Sequence, residues 1–481
     1  MEGVGTKSAL LWATMDKFIT NGFALVISIV LARLIAPSEF GIIATAMIFT
    51  VLLSLFVEPG MTSALIQKKD PDVLDFSTIL TFNLCTGAIL YSVLFILAPF
   101  VTNWFELPIL KDVLRVMGLQ ILIGSVNSVQ IAYAQKNMQF KRFFFCSFLS
   151  TIISAGIALI MACAGYGVWA LVANNICRSF ILLITVTIAF RWQYSFKFST
   201  TRLKEMFPFA SKMLLAKFID QGYVEVTQTI ISKMYTPTDL AFYNRAKSFP
   251  DMLISNLNLA LGNVLFPVFS NIQDDESKLK ESIINSIRLT SYISFPILIG
   301  LLFCAHNLII FLLTDKWEGS IIFLQILCLY YMWVPFSNIV WLSFKAIGAS
   351  NRVLQLELIK ITTNVVMLIA FVLMMRSPLA IAVSLVCSYF LSFIIEIIYV
   401  VKFLGINFKE ILISFMPSLI LSLIMGVGVL GVGIIIQSPV IGLFLQIAVG
   451  LLIYISLSVV LRIPQFETMM AIMLKNRYVR R

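Results

Sequence analysis

Residues Met206 to Ser270 read MFPFASKMLLAKFIDQGYVEVTQTIISKMYTPTDLAFYNRAKSFPDMLISNLNLALGNVLFPVFS, two apolar segments joined by a turn at Thr236-Pro237-Thr238. On the first segment Lys217, Gln221, Glu225, Gln228 and Ser232 recur at steps of four, four, three and four. On the second, Asn244, Ser248, Asp251, Ser255, Asn258 and Gly262 recur at four, three, four, three and four. Such steps place each set on one face of a helix and leave Leu, Ile, Phe, Val and Ala for the other. Two readings stay open for the polar faces. They are seams where helices hydrogen-bond to each other, or they line a water-filled cavity, because ionisable groups at membrane depth are costly and usually face a pathway.

Working outward, the whole chain has the composition of these segments. Of 481 residues 60% are hydrophobic and only 12% charged, and the mean hydropathy is +0.97. Soluble domains carry about 25% charged residues. Windows of about 20 apolar residues, the length that crosses a bilayer core, recur fourteen times with short polar breaks. The expectation is an all-α polytopic membrane protein. Met1–Lys7 runs into the first span without a small-residue cleavage site, so that span is expected to stay in place.

Fourteen spans put both termini on one side of the membrane. The loops and tails of that side carry about 21 Lys and Arg against about five on the other, which the positive-inside rule reads as cytoplasmic termini. The net charge of +11 then reflects topology and contact with anionic headgroups, with no call for nucleic acid. The seven cysteines fall in apolar stretches without CxxC spacing and read as small buried hydrophobes. His306, the single histidine, reads as a packed, hydrogen-bonded side chain. No metal-ligand pattern and no cofactor motif is present, and no converging acid, base or nucleophile marks an enzyme. Trp12, Trp104, Trp192 and Trp317 stand near expected helix ends and read as interface anchors.

A shift of 200 residues aligns Lys17-Phe18-Ile19 with Lys217-Phe218-Ile219, Gly22 with Gly222 and Pro37 with Pro237. Around the turn Arg33 meets Lys233 and Glu39 meets Asp239. Six spans separate the copies, so both lie the same way in the membrane. The expected organisation is two parallel six-helix bundles, residues 1–200 and 201–405, followed by helices 13 and 14 with a basic tail in 406–481. Parallel repeats of this kind alternate access by rocking around a site near the midplane.

Leu31–Gly41 (LARLIAPSEFG), Glu58–Lys68 (EPGMTSALIQK), Gln135–Arg142 (QKNMQFKR), Gly165–Val172 (GYGVWALV) and Gly348–Arg352 (GASNR) resemble the polysaccharide transporter family. This is the Wzx-type flippase branch of the superfamily that also holds MATE multidrug exporters and lipid II flippases. The resemblance implies a MATE-like two-lobed fold and movement of undecaprenyl-diphosphate-linked oligosaccharide across the bacterial inner membrane, for O-antigen, capsule or exopolysaccharide. It makes membrane lipids and polysaccharide polymerase machinery the candidate partners. A MATE-like cation-coupled drug antiporter is the alternative.

A sugar diphosphate head needs a wet, cationic cleft. Basic residues at depth are Lys17, Arg178, Lys212, Lys217, Arg245 and Lys247, the candidates for the diphosphate. For each the competing role is a structural pair or snorkelling to the interface. Asp16, Glu58, Asp220, Glu225 and Asp251 are acids in the same helices. Either they pair with the bases, as Lys217 with Asp220 or Arg245 with Asp251, or one of them couples transport to a proton or sodium gradient.

Overall fold

The computed structural model describes residue 12 and residues 15–57, 59–191 and 196–467. Lys7, Glu58, Trp192 and the tail basics Lys475, Arg477, Arg480 and Arg481 lie outside the described residues, as do the side chains of Lys17 and Asp220. The described elements are helices, as lipid demands of an open chain whose backbone groups must be satisfied internally. Twelve helices among the described residues are long and apolar enough to cross a membrane. Two more bring the number to the expected fourteen: α1 (Asn21–Leu34), preceded by the π-helical turn Asp16–Thr20, and α9 (Thr200–Met234). Lys212, Lys217, Asp220 and Glu225 are among the charges that keep α9 out of the twelve.

Contacts divide the chain into two compact units, Met1–Ala241 and Phe242–Arg481. The first holds α1, α2 (Pro37–Ser54), α3 (Pro59–Gln67), α4 (Val73–Phe105), α5 (Leu110–Met117), α6 (Leu119–Lys136), α7 (Phe140–Cys163), α8 (Val168–Ala189) and α9. One core joins Leu31, Ile43, Leu114, Met117 and Leu171. A second joins Met61, Leu65, Ile79, Leu80 and Val129 to Met206 and Ala210. Those last two side chains are why α9 packs with the first unit, although the 200-residue repeat begins a new copy there.

The repeat is visible in local geometry. Pro37 and Pro237 each open a helix, where their fixed φ and missing N–H cost nothing. Glu39 Oε2 accepts the Ala36 N–H at 3.3 Å, and Asp239 Oδ2 accepts the Thr236 N–H at 3.1 Å. In both copies the acid at the third helical position thus reaches back to the N-cap N–H, and in the second the Thr236 hydroxyl completes the box by accepting the Asp239 N–H at 3.1 Å. The two turns also meet: a side chain at Gly41 would run into the Pro237 carbonyl, and the Thr45 and Ser232 hydroxyls bond at 2.6 Å. Glu39 does a second task, accepting the Val168 N–H at 3.2 Å. The neighbouring Gly167 has φ +53 and no room for a Cβ against that carboxylate, so only glycine fits.

The second unit holds most of α10 (Pro237–Asn271), then α11 (Glu276–Leu313), α12 (Ser320–Tyr331), α13 (Val334–Ala346), α14 (Ser350–Met374), α15 (Leu379–Leu404), α16 (Phe408–Ile435) and α17 (Pro439–Val460). The last helix, α17, docks on α11 through buried polar contacts. Tyr292 donates to Ser458 at 2.8 Å, Tyr454 donates to the Tyr292 carbonyl at 2.8 Å, and Asn307 donates to Gln446 at 2.9 Å. In an apolar surrounding such bonds align helices that lipid alone would not hold together.

Three sequence expectations need correction. Trp317 is fully buried, because the short 3-10 turn Asp315–Trp317 folds its indole inward against Phe242 and under the Arg245 guanidinium, 5.2 Å away. Cys146, Cys304 and Cys328 are buried as expected, but Cys85 and Cys163 are exposed. His306 also points outward from α11. Outward positions on a membrane helix meet lipid, which accepts a thiol as readily as a core does.

Candidate functional site

The first unit contains a cavity of about 520 Å³ that opens to its surface, where Lys217 is exposed. Thr50 and Ser54 of α2, Thr62 of α3, Asn127 and Ser128 of α6 and Ser179 of α8 line it together with Lys217 of α9. The hydroxyls and amides stand among the apolar side chains Met47, Val51, Leu55, Ile121, Ile131 and Leu182, which make up most of the rest of the lining. Part of the lining is fixed: the Asn127 amide donates to the Ser179 carbonyl at 3.0 Å, and Asn83 donates to Ser128 at 3.1 Å. Thr62 Oγ1 and Asn127 Oδ1 are buried without a partner among the described residues. Lys217 is the one charged side chain among the described residues that line the cavity.

The structure distributes the other sequence candidates. Arg178 is half-buried on α8 beside Ser179, within electrostatic reach of Asp16. Asp16 also accepts the Thr20 hydroxyl at 3.1 Å. Lys212 is exposed on α9. Glu225 is buried, 3% exposed, and accepts from Gln221 at 2.7 Å and Gln228 at 2.9 Å. Three members of the α9 polar face thus bond to one another, Ser232 bonds to α2, and Lys217 opens on the cavity; both readings of that face hold along different parts of it. In the second unit Arg245 is 8% exposed beside the Trp317 ring, a packed cation–π position. Lys247 is half-buried. Asp251 accepts the Tyr331 hydroxyl at 2.6 Å.

A second cavity, about 350 Å³, lies within the second unit. Glu357 and Lys360 of α14, Tyr389 and Glu396 of α15, and Ser337, Asn338 and Trp341 of α13 line it with Asn258 of α10. Sequence reasoning passed over Glu396. The signal was there: Ser384, Ser388, Ser392 and Glu396 recur every four residues on an apolar helix, and all four are buried.

At one end of the first unit a charge network secures the start of α9. Asp75 is fully buried and takes Lys68 at 2.7 Å and the Asp72 N–H at 3.0 Å. Arg202 reaches Asp72 at 3.2 Å. The Asp75 backbone N–H, and after it the Arg202 guanidinium, hold the Asp72 carboxyl below the usual carboxylate range. Lys136 donates to the Ile66 and Lys68 carbonyls.

Fold and cavities define a class: a polytopic helical membrane protein with polar and charged side chains lining cavities among its helices. The chain belongs to the polysaccharide biosynthesis protein family, whose model matches residues 30–322. It is 24% identical over 306 residues to the succinoglycan biosynthesis transport protein ExoT of Rhizobium meliloti, covering 64% of this chain and 62% of that protein. With the lipopolysaccharide biosynthesis protein WzxC of Escherichia coli K12 it shares 22% over 329 residues, covering 67% and 66%. The chain therefore aligns with less than two thirds of the length of ExoT. The lipid II flippase MurJ superposes with a TM-score of 0.71 at 17% identity over 94% of this chain and 99% of MurJ. An inward-facing MATE family transporter gives 0.60 at 14% identity over 85% and 98%. The fold is that of the MurJ and MATE proteins.

Proposed function

We propose that the chain is a flippase that carries undecaprenyl-diphosphate-linked oligosaccharide repeat units between leaflets of the bacterial inner membrane for surface polysaccharide synthesis. The observation that carries the reading is the Lys217 cavity: hydroxyls, amides and one ammonium set among apolar side chains, with no carboxylate among its described lining residues. A diphosphate gains from that charge, whereas an organic cation is repelled by it. Family membership and the relatives named for polysaccharide transport support the same reading.

Lys217 is the first candidate for the diphosphate and Arg178 the next, with Lys17 its repeat partner. Lys212 and Lys247 come after these, and Arg245 serves packing. Coupling to protons or sodium through Asp16, Glu225 or Asp251 is a further part of the proposal, supported by their depth. Both termini are taken as cytoplasmic from the loop charges, with working halves 1–200 and 201–405 and an appended pair in 406–481.

The test is complementation of a strain lacking this gene. Wild-type chain should restore surface polysaccharide, and Lys217→Ala should fail to do so at equal membrane abundance. Restored drug resistance without polysaccharide would favour the antiporter instead.

A further inference from the structure

The second cavity has a chemistry that the diphosphate does not use. Glu396 is only 6% exposed. Its Oε1 accepts the Ser337 hydroxyl at 2.5 Å, and its Oε2 is buried with no partner among the described residues. A carboxylate oxygen left without a donor away from water is costly, so the place calls for a ligand that brings O–H or N–H groups.

The surroundings narrow the choice. Lys360 stands on the same wall, 3.8 Å from Glu357 and 5.2 Å from the centre of the Tyr389 ring. A metal ion would enter against that ammonium, and the described residues hold no group of three His, Cys, Asp or Glu able to ligate one. A phosphate would meet two carboxylates against one ammonium. A polyhydroxylated neutral ring fits every group present. Its hydroxyls donate to Glu396 and accept from Lys360, and the Asn338 amide, now shared between the two oxygens of Asn258 at 3.3 and 3.4 Å, supplies a further polar contact. Trp341, 37% exposed, offers an aromatic surface for the C–H face of the ring. The volume of about 350 Å³ lies in the range of small-molecule sites.

We propose that this cavity is a glycan subsite that takes an uncharged pyranose of the cargo, separate from the Lys217 cavity and resting on the transport reading. Recognition is by hydroxyl donation to the orphan Glu396 oxygen and by contact with Trp341.

Saturation-transfer NMR on the full chain in lipid nanodiscs tests it, with the methyl glycosides of glucose, galactose and N-acetylglucosamine as probes. At least one should show saturated ring protons, weakened about fivefold or more in Glu396→Ala and in Trp341→Ala and unchanged in Cys163→Ala, an exposed position that lines neither cavity. If Glu396→Ala does not assemble, Glu396→Gln with Trp341→Ala carries the comparison, each checked for monodispersity. Absence of saturation from all three probes with wild-type chain overturns the subsite, as does equal saturation in every variant. Export by the wild type in the deletion strain is scored in parallel. Export without sugar binding removes the subsite alone; sugar binding without export removes the transport reading.

Discussion

The two units handle charge at membrane depth in opposite ways. In the first, among the described residues, a single ammonium on α9 shares about 520 Å³ with hydroxyls, amides and apolar side chains. In the second, two carboxylates and one ammonium share about 350 Å³ with a tryptophan and a tyrosine. The turns at Pro37 and Pro237 start their helices alike, with Glu39 and Asp239 each reaching back to the N-cap N–H, while the two cavities carry different side chains. The teaching is that scaffold and selectivity sit on different residues. Turn and cap residues hold the helices, and a handful of side chains facing inward decide what each unit tolerates.

The comparison breaks most easily at Lys217. Replacing it with Ala should lower surface polysaccharide at least about tenfold, the factor carried by 1.4 kcal/mol, with membrane abundance unchanged because a cavity side chain carries little packing. Lys217→Arg, which keeps the charge, should retain part of the export. Colony-surface staining together with immunoblots of membranes reads both outcomes. Normal export by Lys217→Ala would erase the difference between the units.

A smaller effect is expected at Lys360. Lys360→Met leaves Glu357 and Glu396 in one cavity without their cation, and should cost about 1–3 kcal/mol of stability. Adding Glu396→Gln should restore most of it, since the repulsion then disappears. Thermal unfolding of the two variants in nanodiscs is the check.

Part of this contrast was legible in the chain and part was not. The steps of three and four around Lys217 gave away the polar face of α9, and Pro37 and Pro237 announced equivalent turns. Periodicity names a face but not what the face meets. It therefore left open whether Glu225 points at cargo or, as found, at Gln221 and Gln228 of its own helix. Trp317 misled because an aromatic residue near a helix end has the same one-dimensional signature whether it lies in the interface or folds inward. Glu396 went unseen for the opposite reason: the spacing of Ser384, Ser388, Ser392 and Glu396 was regular, but its partners Ser337 and Lys360 come from other helices.

The network at the start of α9 gives two further, smaller effects. Asp75→Ala removes the buried acceptor of Lys68 and of the Asp72 N–H, and should cost about 1.5–3 kcal/mol, seen as earlier thermal unfolding of the first unit. Asp72→Ala removes the cap on the Asp75 N–H and the half-exposed pair to Arg202, and should cost about 1 kcal/mol at neutral pH. Because the folded protein holds the Asp72 carboxyl below its ordinary value of 3.8, this contribution is complete above that value. It is lost as pH falls through the lower, folded-state pKa. The gap between wild type and Asp72→Ala should therefore close in acid, and a gap that widens there would contradict the assignment.

The central claim is that this chain moves a lipid-linked oligosaccharide across a bilayer. The direct measurement uses proteoliposomes carrying polyprenyl-diphosphate-linked oligosaccharide in both leaflets and an external glycosidase that cuts only what it can reach. With wild-type chain the protected, inner-leaflet pool should be consumed over time, while Lys217→Ala vesicles should stop once the outer leaflet is digested. If wild-type vesicles stop at the same point as empty ones, the chain does not flip this class of lipid and the account is wrong.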